Sequence, residues 1–314
     1  MANSTAKWGI VTTVLSPKAD ILRFCAYHLR AGAHRIYIYL DDPDADVFDA
    51  LKAHRRIRPT RCTTGYWKQQ GGARPLKHQV RQTKNATRTY HRKSEVDWLI
   101  HIDVDEFLVS KAPIAEVLSD IDTKAQCARI RPMEVLAGDP TLFKAHIPNT
   151  ADRDAILDRV YPTYGTSVKG GFLSHVAGKL FVRLGQDGLK LRIHNAFVEQ
   201  LQNPNQIDLP QIDLAHLHAK SWDDWLAHFR YRLEKGSYRE ELGTNRPRSS
   251  GGITMHELLC QIEAEGGEKS LRQFYDEMCA ATPELVARLT SEGLLKRADL
   301  QLDAALHAEF PGMI

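Results

Sequence analysis

Apolar positions along the chain alternate between two periods. Trp8 to Leu15 is an apolar, β-branched run closed by Ser16-Pro17, which predicts a buried strand. Asp20 to Ala31 switches to helical spacing, with Ile21, Phe24, Cys25, His28 and Leu29 on one side and Gly32 as the stop. Arg35 to Leu40 (RIYIYL) predicts a second strand, closed by Asp41-Asp42-Pro43. Asp46 to His54 predicts a short helix and Ile57 to Thr64 a third strand, followed by a loop rich in glycine and aromatics (Gly65-Tyr66-Trp67, then Gly71-Gly72). Pro75 to Lys93 predicts a long helix, and Asp97 to Ile102 a fourth strand that runs straight into Asp103-Val104-Asp105-Glu106.

This βαβαβαβ order predicts a parallel α/β sheet with helices on both faces. In such sheets ligands bind beyond the carboxyl ends of the strands, so Asp41-Asp42 and Asp103-Val104-Asp105 are expected on one rim. The middle of the chain changes character. Gln126 to Val135, Leu173 to Leu184 and Leu189 to Ile193 predict strands between loops containing Gly and Pro, with His194 at the end of one strand. Residues 198–212 are polar and contain Pro, as a linker or surface loop would. From Ser221 the pattern is helical: Trp222 to Lys235, Met255 to Glu265, Leu271 to Ala281, Pro283 to Glu292 and Ala298 to Ala308. Gly243 to Gly252 (GTNRPRSSGG) predicts a break. The expected organisation is a catalytic domain over 1–215 and a mostly helical extension over 216–314.

Composition narrows the class. The 314 residues are 43% hydrophobic and 26% charged, as for a globular protein with a substantial core. The net charge of +3 says little about partners, and no nucleic-acid partner is expected. Locally, Arg74, Lys77, Arg81, Lys84, Arg88, Arg92 and Lys93 share a stretch without an acid, which reads either as a solvated helix face or as a wall facing phosphate. The five cysteines are widely spaced with no CxxC, which argues against a zinc cage or disulfide framework and fits a reducing compartment. No signal-peptide pattern opens the chain and no run approaches a membrane span. A cytoplasmic enzyme is expected, with contact to the cytoplasmic face of a membrane left open.

Candidate chemistry centres on Asp103-x-Asp105. Two carboxylates at the end of an apolar strand offer hard oxygen ligands suited to Mg²⁺ or Mn²⁺. Solvated loop acids or a helix cap are the plainer reading, but a buried strand delivering both acids to a rim is costly without a cation. An EF-hand loop is ruled out because Phe107 and Leu108 stand where an oxygen ligand and a glycine belong. His216-Leu217-His218 on a short strand would face opposite ways, one ring toward a metal and one packed. The plainer reading on local grounds is a pair of partly buried histidines ahead of a helix capped by Ser221. Lys179 and Arg183 share one strand face and could clamp an anion or simply be solvated. GxGxxG, GxxxxGK[ST] and GxSxG motifs are absent.

Taken in order, Phe24-Cys25-Ala26-Tyr27-His28, Arg35-Ile36-Tyr37-Ile38-Tyr39, Gln79, Asp97-Trp98, Asp103-Val104-Asp105-Glu106-Phe107, Gly178-Lys179, His194 and His216 with Lys220-Ser221 resemble a known family. They are similar to the GT-A glycosyltransferases related to family 2, especially the bacterial family 2-like group allied to family 92, over roughly residues 8–240. The resemblance implies a Rossmann-like mixed α/β sheet, the nucleotide-diphospho-sugar transferase fold, with a C-terminal helical extension. It implies a nucleotide-sugar donor, a UDP-sugar in the first instance, bound with Mn²⁺ or Mg²⁺. It also implies a carbohydrate or glycoconjugate acceptor, as in cell-surface polysaccharide synthesis. By that pattern Asp103 would lie near ribose and metal, Asp105 would ligate the metal, and His216 would join them. Leu217 stands where the group usually has an aromatic, and the extra His218 leaves the choice between His216 and His218 open. Thr12, Thr13 and Asp41 would cradle the nucleotide, Gln79 and Arg81 would line the donor site, and Lys179 and His194 would sit near the diphosphate or sugar. An inverting reaction needs a carboxylate base, for which Glu134 and Asp139 are the candidates because they follow a strand after the metal motif. A metal-dependent nucleotidyltransferase or sugar-phosphate pyrophosphorylase, or a module that binds nucleotide-sugar without catalysis, are the competing readings.

Overall fold

The computed structural model describes residues 5–42, 45–92 and 95–313. Pro43 and Lys93, named above, lie outside them. In chain order the elements are β1 (Trp8–Val14), α1 (Lys18–Arg30), β2 (Arg35–Leu40), α2 (Ala45–Ala53), β3 (Ile57–Arg61), α3 (Thr64–Gln69), α4 (His78–His91), β4 (Trp98–His101), β5 (Glu106–Ser110), α5 (Ile114–Ser119) and β6 (Cys127–Leu136). There follow β7 (Asp139–Ala145), α6 (Arg153–Val160), β8 (Lys179–Arg183), β9 (Leu189–Leu191), β10 (Ala196–Val198), β11 (Leu201–Gln202) and β12 (Gln206–His216). The last are α7 (Trp222–Glu234), α8 (Met255–Cys279), α9 (Pro283–Ser291), β13 (Leu295–Arg297) and α10 (Leu302–Glu309). Two compact units share these elements, and neither is one continuous stretch. The first comprises 1–131, 177–214 and 300–314, the second 132–176 and 215–299.

The first unit is an α/β sandwich around a mixed, mainly parallel sheet. β1 pairs in parallel with β2 on one side and β4 on the other, and β2 pairs in parallel with β3. β8 runs antiparallel to β4 and to the Cys127–Ile130 part of β6. β1 and β4 are apolar almost throughout because helices cover both faces, as parallel strands require. Each such buried aliphatic or aromatic side chain contributes about 1.5–3 kcal/mol. The terminal helix α10 packs along α1, where Asp303 accepts from Arg23 at 2.7 Å.

Three expectations change here. The loop expected at Gly65-Tyr66-Trp67 is α3, capped by Thr63, whose hydroxyl accepts from the Tyr66 N–H, and anchored by buried Trp67. The strand expected over Leu173 to Leu184 is only Lys179–Arg183, because Gly178 turns the chain at φ 70°. The stretch expected as a linker over 198–212 holds β11 and the first half of β12. There Gln206, Asp208 and Gln211 are exposed while Leu209 and Ile212 are buried, so it never shows as an apolar run.

In the second unit β7 pairs antiparallel with the Met133–Leu136 part of β6 and with β13. Helices α6 to α9 bury an aromatic-rich core that includes Trp225, Phe229, Phe274 and Tyr275. Thr254 and Glu257 form a reciprocal cap at the start of α8. The two helices expected over 255–281 are both present within α8, separated by a kink at Gly266-Gly267 where the backbone leaves helical geometry. Among the described residues no helix is long and apolar enough to cross a membrane. All five cysteines are unbridged.

Candidate active site

In the first unit, α4 holds three strand ends. Its buried face is Arg81, Gln82, Asn85 and Thr89, the i, i+3/i+4 set that lies against the sheet. The Arg81 guanidinium donates to both oxygens of Asp41, just beyond β2, at 2.9 Å each. Arg81 also donates to the carbonyls of Pro75 and Leu76 at 2.8 Å, which fixes the loop before the helix. Arg74 adds a second cation 3.0 Å from Asp41. Asn85 donates to the Thr13 hydroxyl on β1 at 3.0 Å and accepts from Tyr66 at 2.6 Å. Gln82 donates to Asp103, beyond β4, at 2.5 Å. Thr13, Asp41 and Asp103 thus stand at the carboxyl ends of adjacent parallel strands, where α/β sheets bind ligands.

The Asp103-Val104-Asp105-Glu106 segment is a tight turn. The Asp103 N–H donates to the Glu106 carboxylate at 2.8 Å, and the Glu106 N–H returns to the Asp103 carbonyl at 3.1 Å. Lys179 is fully buried, with its ammonium 2.7 Å from Asp103 and 3.1 Å from Glu106. Burial opposes charge on Asp103, but the Lys179 ammonium outweighs it and holds this carboxyl well below the usual carboxylate range. The same pairing keeps Lys179 charged against its own burial. His101, at the end of β4, is pushed down to about 4 by burial and then by Lys179, so it is neutral. Asp103 and Asp105 are both half-buried, whereas Glu106 is fully buried.

Gly178 makes the Lys179 placement possible. A Cβ there would lie 2.0 Å from the Ile130 carbonyl, and its φ of 70° is left-handed. Its carbonyl bonds His194 Nδ1 at 3.0 Å, so His194 sits one residue from Lys179. Arg183 is turned away into structure. It lies 4.2 Å from the Trp98 ring centroid and donates to backbone carbonyls such as Ala125 at 3.0 Å. The clamp of Lys179 with Arg183 envisaged from their spacing is therefore not assembled. Lys179 binds carboxylates and Arg183 braces a strand.

In the second unit a relay of hydrogen bonds runs through Glu134, Ser174 and His216. Buried Glu134 accepts from the backbone N–H of Leu173 and from the N–H and hydroxyl of Ser174. Burial opposes its charge, yet Lys144, 3.4 Å away, and the Ser174 bonds hold it below the usual carboxylate range. The Ser174 proton is committed to Glu134, so its oxygen accepts from His216 Nδ1 at 3.1 Å. That fixes the tautomer with the lone pair on Nε2, the arrangement by which proteins orient metal-binding histidines. His175 adjoins it, with ring centroids 5.7 Å apart. His218 Nε2 bonds the Tyr238 hydroxyl at 2.9 Å, and burial keeps it neutral. The alternation expected for the two histidines does not hold, because β12 ends at His216 and the two rings meet at 5.2 Å.

Other residues singled out from the sequence fall as follows. Thr12 is buried in β1 and its hydroxyl has no hydrogen-bond partner among the described residues. Gln79 is half-exposed at the start of α4, and Gln82, one turn on, is the glutamine that reaches the acidic turn. Asp139 is half-buried at the start of β7 and accepts from the N–H and hydroxyl of Thr141. Asn85, Ser174 and His175 went unnoticed in the sequence. Helix phase could have picked out Asn85; nothing local marks Ser174.

A mainly parallel α/β sheet with acids on its carboxyl rim defines the fold class, and part of the chain matches a glycosyltransferase family model. The family model described as glycosyltransferase family 92 matches residues 14–137, from the end of β1 to the β6–β7 turn. Among curated proteins none is significantly similar in sequence. Similar solved structures include HddC from Yersinia pseudotuberculosis, at 11% identity and TM-score 0.38, covering 72% of this chain and 99% of that one. An active-site mutant of LgtC aligns at 12% identity and TM-score 0.29, covering 56% and 57%. GalNAc-T7 with UDP, GalNAc and Mn²⁺ aligns at 10% identity and TM-score 0.38, covering 92% of this chain and 57% of that one.

Proposed function

We propose that this protein is a glycosyltransferase that moves a sugar from a nucleotide-sugar, a UDP-sugar in the first instance, to a hydroxyl of a carbohydrate or glycoconjugate acceptor with the help of Mn²⁺ or Mg²⁺. The observation that carries the reading is the α4 brace, which sets Thr13, Asp41 and Asp103 on one rim. In this reading Thr13 and Asp41 face the nucleoside, Arg74 meets phosphate, and Lys179 and His194 stand by the diphosphate or sugar. Asp103 and Asp105 in the first unit, and His216 in the second, are each proposed as metal-binding residues.

The donor chemistry fits a divalent cation. Asp103 uses one contact on each carboxylate oxygen, toward Gln82 and Lys179, and each oxygen has a further lone pair. His216 has its Nδ1 proton engaged by Ser174, which favours Nε2 as the metal-binding atom over the Tyr238-bonded His218. A cation bound at Asp103 and Asp105 would neutralise charge on the departing diphosphate. The protein's own part is to keep Asp103 ionised through Lys179 and to hold the turn rigid through Gln82 and Glu106. Glu134, filled by its bonds to residues 173–174, enters as the anchor of His216 rather than as the base. A role in cell-surface polysaccharide or glycoconjugate synthesis at the cytoplasmic face of a membrane completes the proposal.

Asp105→Ala tests it. Metal-dependent transfer or hydrolysis of the UDP-sugar that gives the largest thermal shift with Mn²⁺ is expected to vanish while the fold is retained. Near-normal turnover in that variant overturns the assignment. Pyrophosphate release from a nucleoside triphosphate and a sugar phosphate would point instead to a nucleotidyltransferase.

A further inference from the structure

The outer side of α4 borders a pocket of about 440 Å³ in the first unit. Its walls come from α3, α4 and the β9 segment, and they include Tyr66, Trp67, Lys84, Arg88, Lys190 and Arg192. No acid lines it. Lys84, Arg88, Lys190 and Arg192 are exposed, and none makes an ion pair among the described residues. Arg88 donates to the Gln70 side-chain carbonyl, which draws its guanidinium to the pocket wall. Thr87 ties the two walls together, exchanging bonds with the backbone of Leu191 at 2.9 and 3.3 Å. Trp67 is buried and lines the same pocket, and its indole N–H has no acceptor among the described residues.

Solvated surface cations explain a charged helix face. They do not explain cations converging from two separate segments, Thr83–His91 and Lys190–Arg192, on one aromatic-floored concavity without a carboxylate among them. Like charges so placed repel, and an anion between them removes that cost. The geometry points to a second binding site, for a phosphate-bearing ligand. The cations would meet the phosphate oxygens, and Tyr66 and Trp67 an apolar or ring portion. Asn85, which holds Thr13 on the rim, also borders the pocket, so the two places share one wall.

Inorganic pyrophosphate is the probe, titrated calorimetrically into the full chain with EDTA present, and read in parallel through tryptophan fluorescence. The wild type is expected to bind, and Lys84→Glu with Arg88→Glu to bind about tenfold more weakly, equivalent to about 1.4 kcal/mol. Lys190→Glu with Arg192→Glu should weaken it similarly. Trp67→Phe should lose the fluorescence change; if that buried substitution unfolds the chain, the exposed charge reversals carry the test. Binding that the reversals leave unchanged, or that excess UDP displaces completely, overturns the inference. Co-sedimentation with phosphatidylglycerol-containing vesicles separates the sources. Vesicle binding lost in both reversal variants assigns the site to a lipid headgroup, and pyrophosphate binding without it to a soluble phosphate ester. Binding of neither probe overturns the proposal.

Discussion

Lys179 places a buried ammonium 2.7 Å from Asp103 and 3.1 Å from Glu106, so a single cation from β8 neutralises two acids of the turn that follows β4. Breaking a buried pair from one side leaves uncompensated charge, which costs about 3–5 kcal/mol. Lys179→Met is therefore expected to lower unfolding free energy by about that amount in urea titrations. A loss below about 1 kcal/mol would mean that the pair is open to water.

Ser174 orients His216 without belonging to the rim. Ser174→Ala removes the acceptor for the Nδ1 proton while leaving Glu134 its backbone donors. Under the proposed metal role, Mn²⁺ affinity should fall about 10–100-fold, with a smaller effect on thermal stability. Unchanged Mn²⁺ affinity, measured by electron paramagnetic resonance of free Mn²⁺, would remove His216 from the ligand set.

Gly178 holds a conformation that no side chain can share with Ile130. Gly178→Ala should cost at least about 2 kcal/mol, through a left-handed φ and a clash with backbone. It should also impair turnover beyond its effect on stability, because Lys179 and the His194 bond hang on this residue. Chemical denaturation and kinetics on the folded fraction give the two effects separately. An alanine variant of wild-type stability would contradict the geometry.

His28 makes the fold sensitive to acid. Its Nδ1 bonds the Phe24 carbonyl at 2.9 Å, and its Nε2 accepts from the Leu108 N–H at 3.3 Å, so the neutral ring is satisfied on both sides. Burial pushes its pKa from 6.5 down to about 3. The unfolded chain takes up a proton below its ordinary value that the folded chain refuses. The contribution is therefore full above that value and is lost as pH falls toward the folded value. Between pH 6.5 and 5 the loss from His28 alone comes to about 2 kcal/mol. Urea unfolding at the two pH values should show a shallower dependence in His28→Gln. Equal slopes would place the acid sensitivity elsewhere, with His101 the next group to examine.

The sequence by itself determined the order β1-α1-β2-α2-β3-α4-β4 of the first unit, because burial on both faces leaves continuous apolar runs and amphipathic helices leave a period near 3.6. It also marked Asp103 and Asp105, because two acids after an apolar strand stand out locally. Tertiary structure alone decided which groups surround them. Lys179 lies 76 positions along the chain from Asp103. Ser174 lies 42 from His216, and no local pattern encodes such distances. The phase of α4 within a basic, polar segment chose Gln82 over Gln79 for the acidic turn. It also left Lys84 and Arg88 on the opposite side, where they border a pocket of their own. β12 was hidden for a related reason, since a strand with many exposed polar positions carries too little apolar signal to be read before its partner β5 is in place.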